Sequence, residues 1–212
     1  TKVEAVTNEI YRCTAKQGEY FARITNYKSY DEQLEEVTYT NYLHKEGLGV
    51  SPTIVSINGK EVEKIILNNK EVLTVLYEAA PGKHIARIQW NATVLKELGR
   101  QIGKLHSLSR KFEEIHPTRY INDWYQNEEY AFLKYIPEEE TKIRAVAQEI
   151  LTKIKDIPKD NANYGLLHGD LWLENVVVDQ DLKLSMVDFQ DCEKHFYIFD
   201  LAVPIYSAIE YS

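Results

Sequence analysis

The sequence predicts an α+β fold with two lobes, a small antiparallel sheet carrying one helix and a larger, mainly helical part. Short apolar runs separated by turn residues fill the first third of the chain, which is typical of hairpins. Apolar residues then recur at three- and four-residue spacing, which is typical of amphipathic helices. Between the two patterns lies Ala79-Ala80-Pro81-Gly82, and Pro and Gly commonly interrupt regular structure. We therefore predict one lobe over residues 1–78 and the other over residues 79–212.

The first lobe is predicted to contain two strands, one helix and three further strands. Lys16-Gln17-Gly18 and Asn58-Gly59 are turn sequences between apolar runs, and Asn-Gly is the strongest short hairpin signal. The predicted strands cover residues 10–14, 20–24, 53–57, 62–67 and 72–77, and the helix covers residues 29–45.

The second lobe is predicted to hold helices and one more hairpin. The amphipathic pattern is clear in residues 91–109, where Asn91 is a suitable N-cap and Gly99 and Gly103 lie four residues apart. Glycines inside a helix lower its stability unless another element packs closely there. The other predicted helices cover residues 120–135, 141–155 and 201–209, and short strands cover residues 176–178 and 184–187.

The composition is that of an ordinary globular protein. The 212 residues are enough for a sizeable core, and the net charge of −8 disfavours binding to nucleic acid or to an anionic membrane. Cys13 and Cys192 form no metal-binding pattern, and no apolar run is long enough to span a membrane. We expect reduced thiols and a cytoplasmic location. We also expect a chain truncated at both ends, because it starts at Thr1 and stops just after an apolar run.

Residues 166–190 concentrate the polar side chains that suggest chemistry. His168, Asp170, Asn175 and Asp188 lie between short apolar runs, with a polar turn between the two predicted strands. A hairpin of this length returns its far end, Asp188, to its near end, Asn175. Carboxylate and amide oxygens suit Mg²⁺, which keeps several positions for water and phosphate. Because a third carboxylate nearby orients a hydroxyl group, the combination predicts a phosphoryl-transfer site.

The spacing of the residues in this segment also resembles that of a known family. His168-Gly169-Asp170-x-x-x-x-Asn175, followed by Asp188-Phe189, resembles the motifs of the aminoglycoside phosphotransferase and choline kinase family, relatives of the protein kinases. Residues 98–106, 75–82 and 199–202 are similar to the family's glycine-containing helix, hinge and structural aspartate. The resemblance covers nearly the whole chain. It implies a protein-kinase-like two-lobe fold and ATP- and Mg²⁺-dependent transfer of the γ-phosphoryl group to a hydroxyl of a small molecule, such as an amino sugar, a sugar or an amino alcohol.

The resemblance implies a role for each residue of the motif. Asp170 would be the catalytic base that orients and deprotonates the acceptor hydroxyl. Asn175 and Asp188 would hold Mg²⁺, which bridges the ATP phosphates. His168 would brace the catalytic loop, and Asp200 would accept hydrogen bonds from the backbone of that loop.

On the same resemblance, residues of the first lobe and the hinge would bind ATP. Arg23 lies where kinase relatives place a lysine that contacts phosphate, and a guanidinium group keeps that ability with a broader geometry. Glu36 in the following helix matches their partner carboxylate, while its neighbour Glu35 is expected to be solvated. Main-chain groups of Glu78 and Ala80 would hydrogen-bond the adenine.

A glycine-rich phosphate loop does not precede the first predicted strand, where only residues 6–9 are available. This loop either precedes Thr1 or contains no glycine. Two other functions therefore stay open. One is a protein Ser/Thr kinase of the bacterial stress type, which residues 188–192 also resemble, and the other is a kinase-like binding module without turnover. The sequence identifies neither the acceptor nor an oligomeric state.

Overall fold

The computed structural model describes residues 1–3 and 8–210, and its architecture is α+β, as predicted. The first third forms one antiparallel sheet with the strand order β1-β2-β3-β5-β4, and one helix, α1, lies between β3 and β4 in the chain. These elements are β1 (Lys2–Val3), β2 (Glu9–Ala15), β3 (Gly18–Thr25), α1 (Tyr30–Lys45), β4 (Glu63–Leu67) and β5 (Lys70–Glu78). β5 ends at the last residue of the predicted first lobe, and the division into two lobes stays a prediction.

The rest of the chain is mainly helical, with two small two-stranded sheets, β6 with β9 and β7 with β8. Its elements are α2 (Ala92–Ile115), α3 (Thr141–Lys155), β6 (Tyr164–Leu167), β7 (Val176–Val178), β8 (Leu184–Met186), β9 (Glu193–Phe196) and α4 (Phe199–Glu210). None of the side chains of α3 is buried, and its apolar residues Ile143, Val146 and Ile150 are exposed. Among the described residues, no helix is both long and apolar enough to cross a membrane.

Local sequence explains where α1 and the outer hairpin of the sheet begin and end. Ser29 and Glu32 form a reciprocal capping box, which satisfies backbone N–H groups at the start of α1. Asn68 and Asn69 have φ angles of 50° and 61°, the left-handed values that a tight two-residue hairpin turn requires. This turn therefore sets the register of β4 on β5.

The prediction of a strand over residues 53–57 is wrong. Thr53 makes one isolated bridge to Tyr77, and the turn at Gly59 lies inside a loop. The reason is that both sides of β5 are largely occupied. β3 pairs with one side, and β4 takes the other from Lys70 to Thr74, so only the last residues of β5 remain open for pairing.

The prediction of one helix over residues 120–135 is also wrong. Two short 3-10 segments, Trp124–Gln126 and Glu128–Lys134, replace it, and Ala131 has non-helical backbone angles. Trp124 stacks on His195 with ring centroids 4.9 Å apart, and the ring of Tyr130 meets the same histidine at 6.0 Å. The packing of these rings around His195 is favoured over a continuous helix.

The larger hydrophobic core joins α1 to the second part of the chain. Tyr39 and Leu43 of α1 share one buried cluster with Leu105 of α2 and with Leu171 and Met186 of the segment that carries the motif. The Tyr39 hydroxyl also lies 2.6 Å from the Ser109 Oγ of α2. Burial of this shared surface fixes α1 relative to the motif segment.

The hairpin of β7 and β8 is hydrogen-bonded on both sides to other parts of the chain. The Met186 N–H donates to the Gly49 carbonyl at 2.8 Å, and Lys83 and Val178 exchange hydrogen bonds of 3.1 and 2.9 Å. The backbones approach so closely that a Cβ on Gly82, where φ is +109°, would lie 2.5 Å from the Val178 carbonyl oxygen. The hairpin is therefore held between the segment before β4 and the segment after β5.

Candidate active site

A cavity of about 450 Å³ lies between the sheet and the β7–β8 hairpin. Its lining includes apolar side chains such as Phe21, Val177 and Met186 together with a few charged groups, the usual composition of a ligand site. Six of the residues that the resemblance assigns to ATP or metal line it: Arg23, Glu36, Glu78, Ala80, Asn175 and Asp188.

Asp170 lies next to this cavity and is joined to Asn175. The Asn175 Nδ2 donates to the backbone carbonyl of Asp170 at 2.8 Å and to its Oδ2 at 3.1 Å. The Val187 N–H donates to the Asn175 carbonyl at 2.9 Å, so the hairpin returns its far end to its near end. Burial raises the pKa of the Asp170 carboxyl; His168 opposes this shift, and the negative charge of Asp188 adds to it.

Asp188 begins a tight loop in a left-handed backbone conformation, with φ 63° and ψ 66°. Such angles are uncommon for a residue with a side chain, and they persist where the surrounding structure fixes them. The Asp188 Oδ1 lies 3.5 Å from the Arg23 Nη1. The loop therefore directs one carboxylate toward a buried guanidinium group.

Arg23 and Glu36 form a buried ion pair at the back of the cavity, through the Nη2 of the arginine and the Oε1 of the glutamate. Burial disfavours the charged form of Arg23, but Glu36, Tyr77 and Asp188 together outweigh this effect and raise the pKa of the guanidinium. The Tyr77 ring lies 5.2 Å from the guanidinium carbon, and its hydroxyl donates to Glu36 at 3.4 Å. The Arg23 Nε has no partner among the described residues and is an N–H donor that a ligand could meet.

The hinge offers the amide of Ala80 to a ligand. The Glu78 N–H donates to the Pro52 carbonyl and the Ala79 N–H donates to the Glu19 carbonyl, both at 3.0 Å. Within the described part of the chain, the Ala80 N–H meets no such acceptor. Ala80 lines the cavity, so its backbone N–H is a hinge donor that is available to a ligand.

Asp200, which is fully buried, organises the turn that carries Asp170. Its two carboxylate oxygens accept hydrogen bonds from the N–H groups of His168 and Gly169, each at 3.1 Å. The His168 Nε2 lies 3.0 Å from the Val187 carbonyl oxygen, which links the turn to the hairpin. These contacts match the supporting positions that the resemblance implies for His168 and Asp200.

Several contacts of the site are not evident from the sequence. His106 contacts Asp200 through Nε2 at 2.9 Å. Glu35, expected to be solvated, instead accepts hydrogen bonds from three successive backbone N–H groups of residues 119–121. Lys28 contacts both Glu36 and the backbone of Gln190. Each of these contacts except Lys28 with Glu36 joins residues more than 80 positions apart, and no local pattern signals such a pair.

Residues 6–9, the segment available for a phosphate loop before the first predicted strand, are only partly described. Val6 and Thr7 lie outside the described residues, while Asn8 directly precedes β2. The Asn8 Oδ1 accepts a hydrogen bond of 2.9 Å from the Thr25 hydroxyl.

The donor set beside the cavity fits a hard divalent cation with few protein ligands. The described residues contain no group of three His, Cys, Asp or Glu side chains that could hold a metal alone. Asp188 offers a carboxylate, and the amide of Asn175, whose nitrogen is used by Asp170, offers its oxygen. Two oxygen ligands suit Mg²⁺, which completes its coordination with water and phosphate.

The fold and the placement of these residues define a class, the protein-kinase-like phosphotransferases. An antiparallel sheet with one helix faces a hairpin whose ends hold an amide and a carboxylate. The chain belongs to the phosphotransferase enzyme family, whose model matches residues 3–210. The resemblance inferred from the motif is therefore confirmed.

Two relatives are amicoumacin kinases. The one from Bacillus subtilis (strain 168) is 30% identical over 207 residues, which is 96% of this chain and 61% of that protein. The structure of amicoumacin kinase hAmiN in complex with AMP-PNP, Ca²⁺ and Ami has a TM-score of 0.92 at 28% identity, covering 100% of this chain and 64% of that one. The present chain thus spans about three fifths of the length of both proteins.

A third relative agrees in fold alone. The structure of a microcompartment-associated aminopropanol kinase has a TM-score of 0.76 at 19% identity, and the match covers 97% of this chain and 68% of that one.

Proposed function

We propose that this chain transfers the γ-phosphoryl group of ATP to a hydroxyl group of a small molecule in a Mg²⁺-dependent reaction. Family membership supports the reaction class, and the amicoumacin kinase bound to AMP-PNP and Ca²⁺ supports ATP with a divalent metal. The observation that carries the proposal is the meeting of Asp170, Asn175 and Asp188 beside the cavity that contains Arg23.

Proton transfer and phosphate binding are carried out by different side chains. Asp170 accepts the proton of the acceptor hydroxyl, and its raised pKa makes it a stronger base than an exposed aspartate. Arg23, held in place by Glu36, binds phosphate oxygens. Asn175 and Asp188 hold the metal, which neutralises charge on the phosphates when it is bound. The backbone of Glu78 and Ala80 binds the adenine.

Amicoumacin is the first acceptor to test, because the two relatives with 30% and 28% identity are amicoumacin kinases. Amino alcohols come next, since an aminopropanol kinase shares the fold. Asp170 and Asp188 at the site and a net charge of −8 favour a cationic or neutral acceptor over an anionic one.

The test is ADP release by the purified protein with ATP and MgCl₂ against a panel of acceptors. The panel holds amicoumacin, aminopropanol, choline, aminoglycosides and sugars, and a peptide pool represents the acceptors of a protein Ser/Thr kinase. Stimulation by a small molecule and none by the peptides is the expected result. Stimulation by peptides alone would replace the proposal with the protein kinase, and AMP-PNP binding without any stimulation would replace it with a binding module.

Two variants test the base. We expect Asp170→Asn to lower kcat by about 100-fold or more while AMP-PNP binding is retained, because the proton acceptor is lost. Asp181→Asn is the matched control, since Asp181 is exposed on the turn of the same hairpin. The activity of this variant should stay at the wild-type level. Normal turnover in Asp170→Asn would remove Asp170 from the mechanism.

The same proposal includes a cytoplasmic location. An ATP-dependent reaction and two free thiols, Cys13 and Cys192, agree with a reducing compartment. Fractionation of the producing cells tests this location.

A further inference from the structure

Lys28, in the connection between β3 and α1, joins the ion pair at the back of the cavity to the loop that starts at Asp188. Its ammonium group donates to the Glu36 Oε2 at 2.9 Å and also to the backbone carbonyl of Gln190. The side chain is only 16% exposed, so both contacts are made largely out of water. Glu36 is therefore shared by two cations, Arg23 on one oxygen and Lys28 on the other.

Electrostatics keep this connection charged. Burial disfavours the charged ammonium group, but Glu36 together with Cys192 outweighs this effect and raises the pKa of Lys28. Hydrogen bonds in which the donor carries a charge are stronger and shorter than neutral ones. The bond from Lys28 to the Gln190 carbonyl is of this kind, and it acts on the backbone itself.

The side chain of Gln190 makes a second connection to the same part of the sheet. Its Oε1 accepts hydrogen bonds from the Asn8 Nδ2 and, at 3.2 Å, from the Tyr27 hydroxyl. Asn8 directly precedes β2, and Tyr27 lies one residue before Lys28. Three groups from the first third of the chain thus converge on one residue of the loop.

The position of Gln190 controls that of Asp188 because the loop is short. Residues Phe189–Asp191 form a single 3-10 turn, closed by a 3.1 Å hydrogen bond from the Cys192 N–H to the Phe189 carbonyl. Asp188 itself has the uncommon left-handed backbone, which needs support from its surroundings. With Gln190 held from outside, the turn has little freedom to move the Asp188 carboxylate.

We propose that Lys28 is a positioning residue for Asp188. Lys28 holds the metal-binding loop at a fixed distance from the ion pair of Arg23 and Glu36, and the side chain of Gln190 provides a second attachment. The proposal rests on the proposed function, since it assigns Asp188 to a nucleotide-bound metal. Lys28 itself touches neither nucleotide nor acceptor in this role. It acts through the backbone of the loop.

The test compares AMP-PNP binding in excess MgCl₂ and in EDTA by calorimetry for the wild type, Lys28→Met and Lys28→Arg. We expect Lys28→Met to reduce the gain in affinity due to Mg²⁺ by about tenfold, while metal-free binding changes by less than about twofold. Lys28→Arg keeps the charge and the donors, so it should recover most of the gain. Lys153→Met is the matched control, because Lys153 forms an exposed pair with Glu149, and it should match the wild type in both conditions.

Gln190→Ala keeps the test decisive if Lys28→Met does not fold. It removes the side-chain attachment and leaves the backbone carbonyl, so a reduction of the Mg²⁺ gain by about threefold is expected. An unchanged gain in the folded Lys28 or Gln190 variant, or an equal loss in MgCl₂ and EDTA, would overturn the positioning role and leave the proposed function intact. Wild-type protein that binds AMP-PNP in neither condition would overturn the proposed function itself, and the role of Lys28 with it.

Discussion

At the scale of single residues, the back of the cavity depends on one carboxylate. Glu36 has only 2% of its side chain exposed and faces two cations, Arg23 and Lys28. A buried charge without a partner is strongly unfavourable, whereas a paired and hydrogen-bonded one is tolerated. The folded protein therefore tolerates the three buried charges together and is destabilised when one of them is removed.

We predict that Glu36→Gln lowers the free energy of unfolding by about 3 kcal/mol at pH 7, because Lys28 loses its carboxylate and Arg23 keeps only the 3.5 Å contact with Asp188. Urea denaturation measures the change. Glu114→Gln, at an exposed position on α2, is the matched control and should change stability by less than about 0.5 kcal/mol. A similar small change in Glu36→Gln would show that Arg23 and Lys28 find other partners.

The same carboxylate predicts a pH dependence. Burial alone would raise the pKa of Glu36, yet Arg23 and Lys28 outweigh it and lower the pKa below the ordinary value of 4.5. A lowered folded-state pKa adds stability that is complete above pH 4.5 and is lost as the pH falls through the folded-state value. The stability difference between wild type and Glu36→Gln should therefore shrink below pH 4.5 in a urea series. A difference that stays constant down to pH 3 would contradict the ionised state of Glu36.

The convergence of the motif residues was predictable from the sequence, but the contacts that hold them in place were not. Spacing within 25 residues predicts Asp170, Asn175 and Asp188, because a hairpin returns its own ends to one place. Lys28 meets Gln190 across 162 positions, a distance along the chain at which sequence spacing carries no information. Glu35 and Glu36 differ only in the face of α1 on which they lie, and the resemblance alone favoured the second.

At the scale of elements, the two glycines of α2 differ from Gly169 in the turn that carries Asp170. Gly99 and Gly103 lie on the exposed side of α2, and a Cβ on either would meet nothing within 4 Å. Gly169 has φ +86°, and a Cβ there would lie 2.1 Å from the Asp191 carbonyl oxygen. Close packing at the two helix glycines, the condition under which they would cost no stability, is absent from the described structure.

We predict that Gly99→Ala and Gly103→Ala each raise the free energy of unfolding by about 1 kcal/mol, since alanine loses less backbone entropy in a helix and meets no obstacle here. Thermal or urea denaturation measures the change. Gly169→Ala is the opposite control, with an expected loss of more than about 1 kcal/mol because its backbone and its surroundings both exclude a Cβ. Destabilisation by either helix variant would mean that something packs against α2 there.

Elements with local signals were predicted well, and elements decided by competition were not. The capping box of Ser29 and Glu32 marks the start of α1 in the sequence, and the helix begins there. The segment 53–57 has the composition of a strand, but β4 already occupies most of the edge of β5 that it would need. Which of two suitable segments pairs with a third depends on the whole sheet, so local patterns do not decide it.

At the scale of the whole molecule, the sheet and the helical part are connected by more than the hinge. The shared core places Tyr39 and Leu43 of α1 against Leu105 of α2. The Met186 N–H also donates to the Gly49 carbonyl, which attaches the β7–β8 hairpin to the first part. Separation of the two parts would expose this core and break this bond.

We predict that the protein unfolds in one cooperative transition, because its larger hydrophobic core is shared between the two parts. Urea transitions followed by far-UV circular dichroism and by tryptophan fluorescence should coincide. Fluorescence reports only on the second part, since Trp90, Trp124 and Trp172 all follow the hinge, and circular dichroism reports on both. Two separate transitions would show that the parts fold independently.

The attachment of the β7–β8 hairpin on both sides also has a consequence for hydrogen exchange. The amide protons of Lys83, Val178 and Met186 belong to hydrogen bonds that join the hairpin to segments far from it in the chain, and the bond of Met186 crosses between the two parts. Local fraying of one part does not release them, so their deuterium uptake should proceed at the rate of global unfolding. The amide of Ala80, three residues before Lys83, should exchange quickly until a nucleotide covers it. Because the fast amide of Ala80 and the slow amide of Lys83 lie so close together in the chain, a change in exchange at Ala80 alone would report directly on a ligand in the cavity.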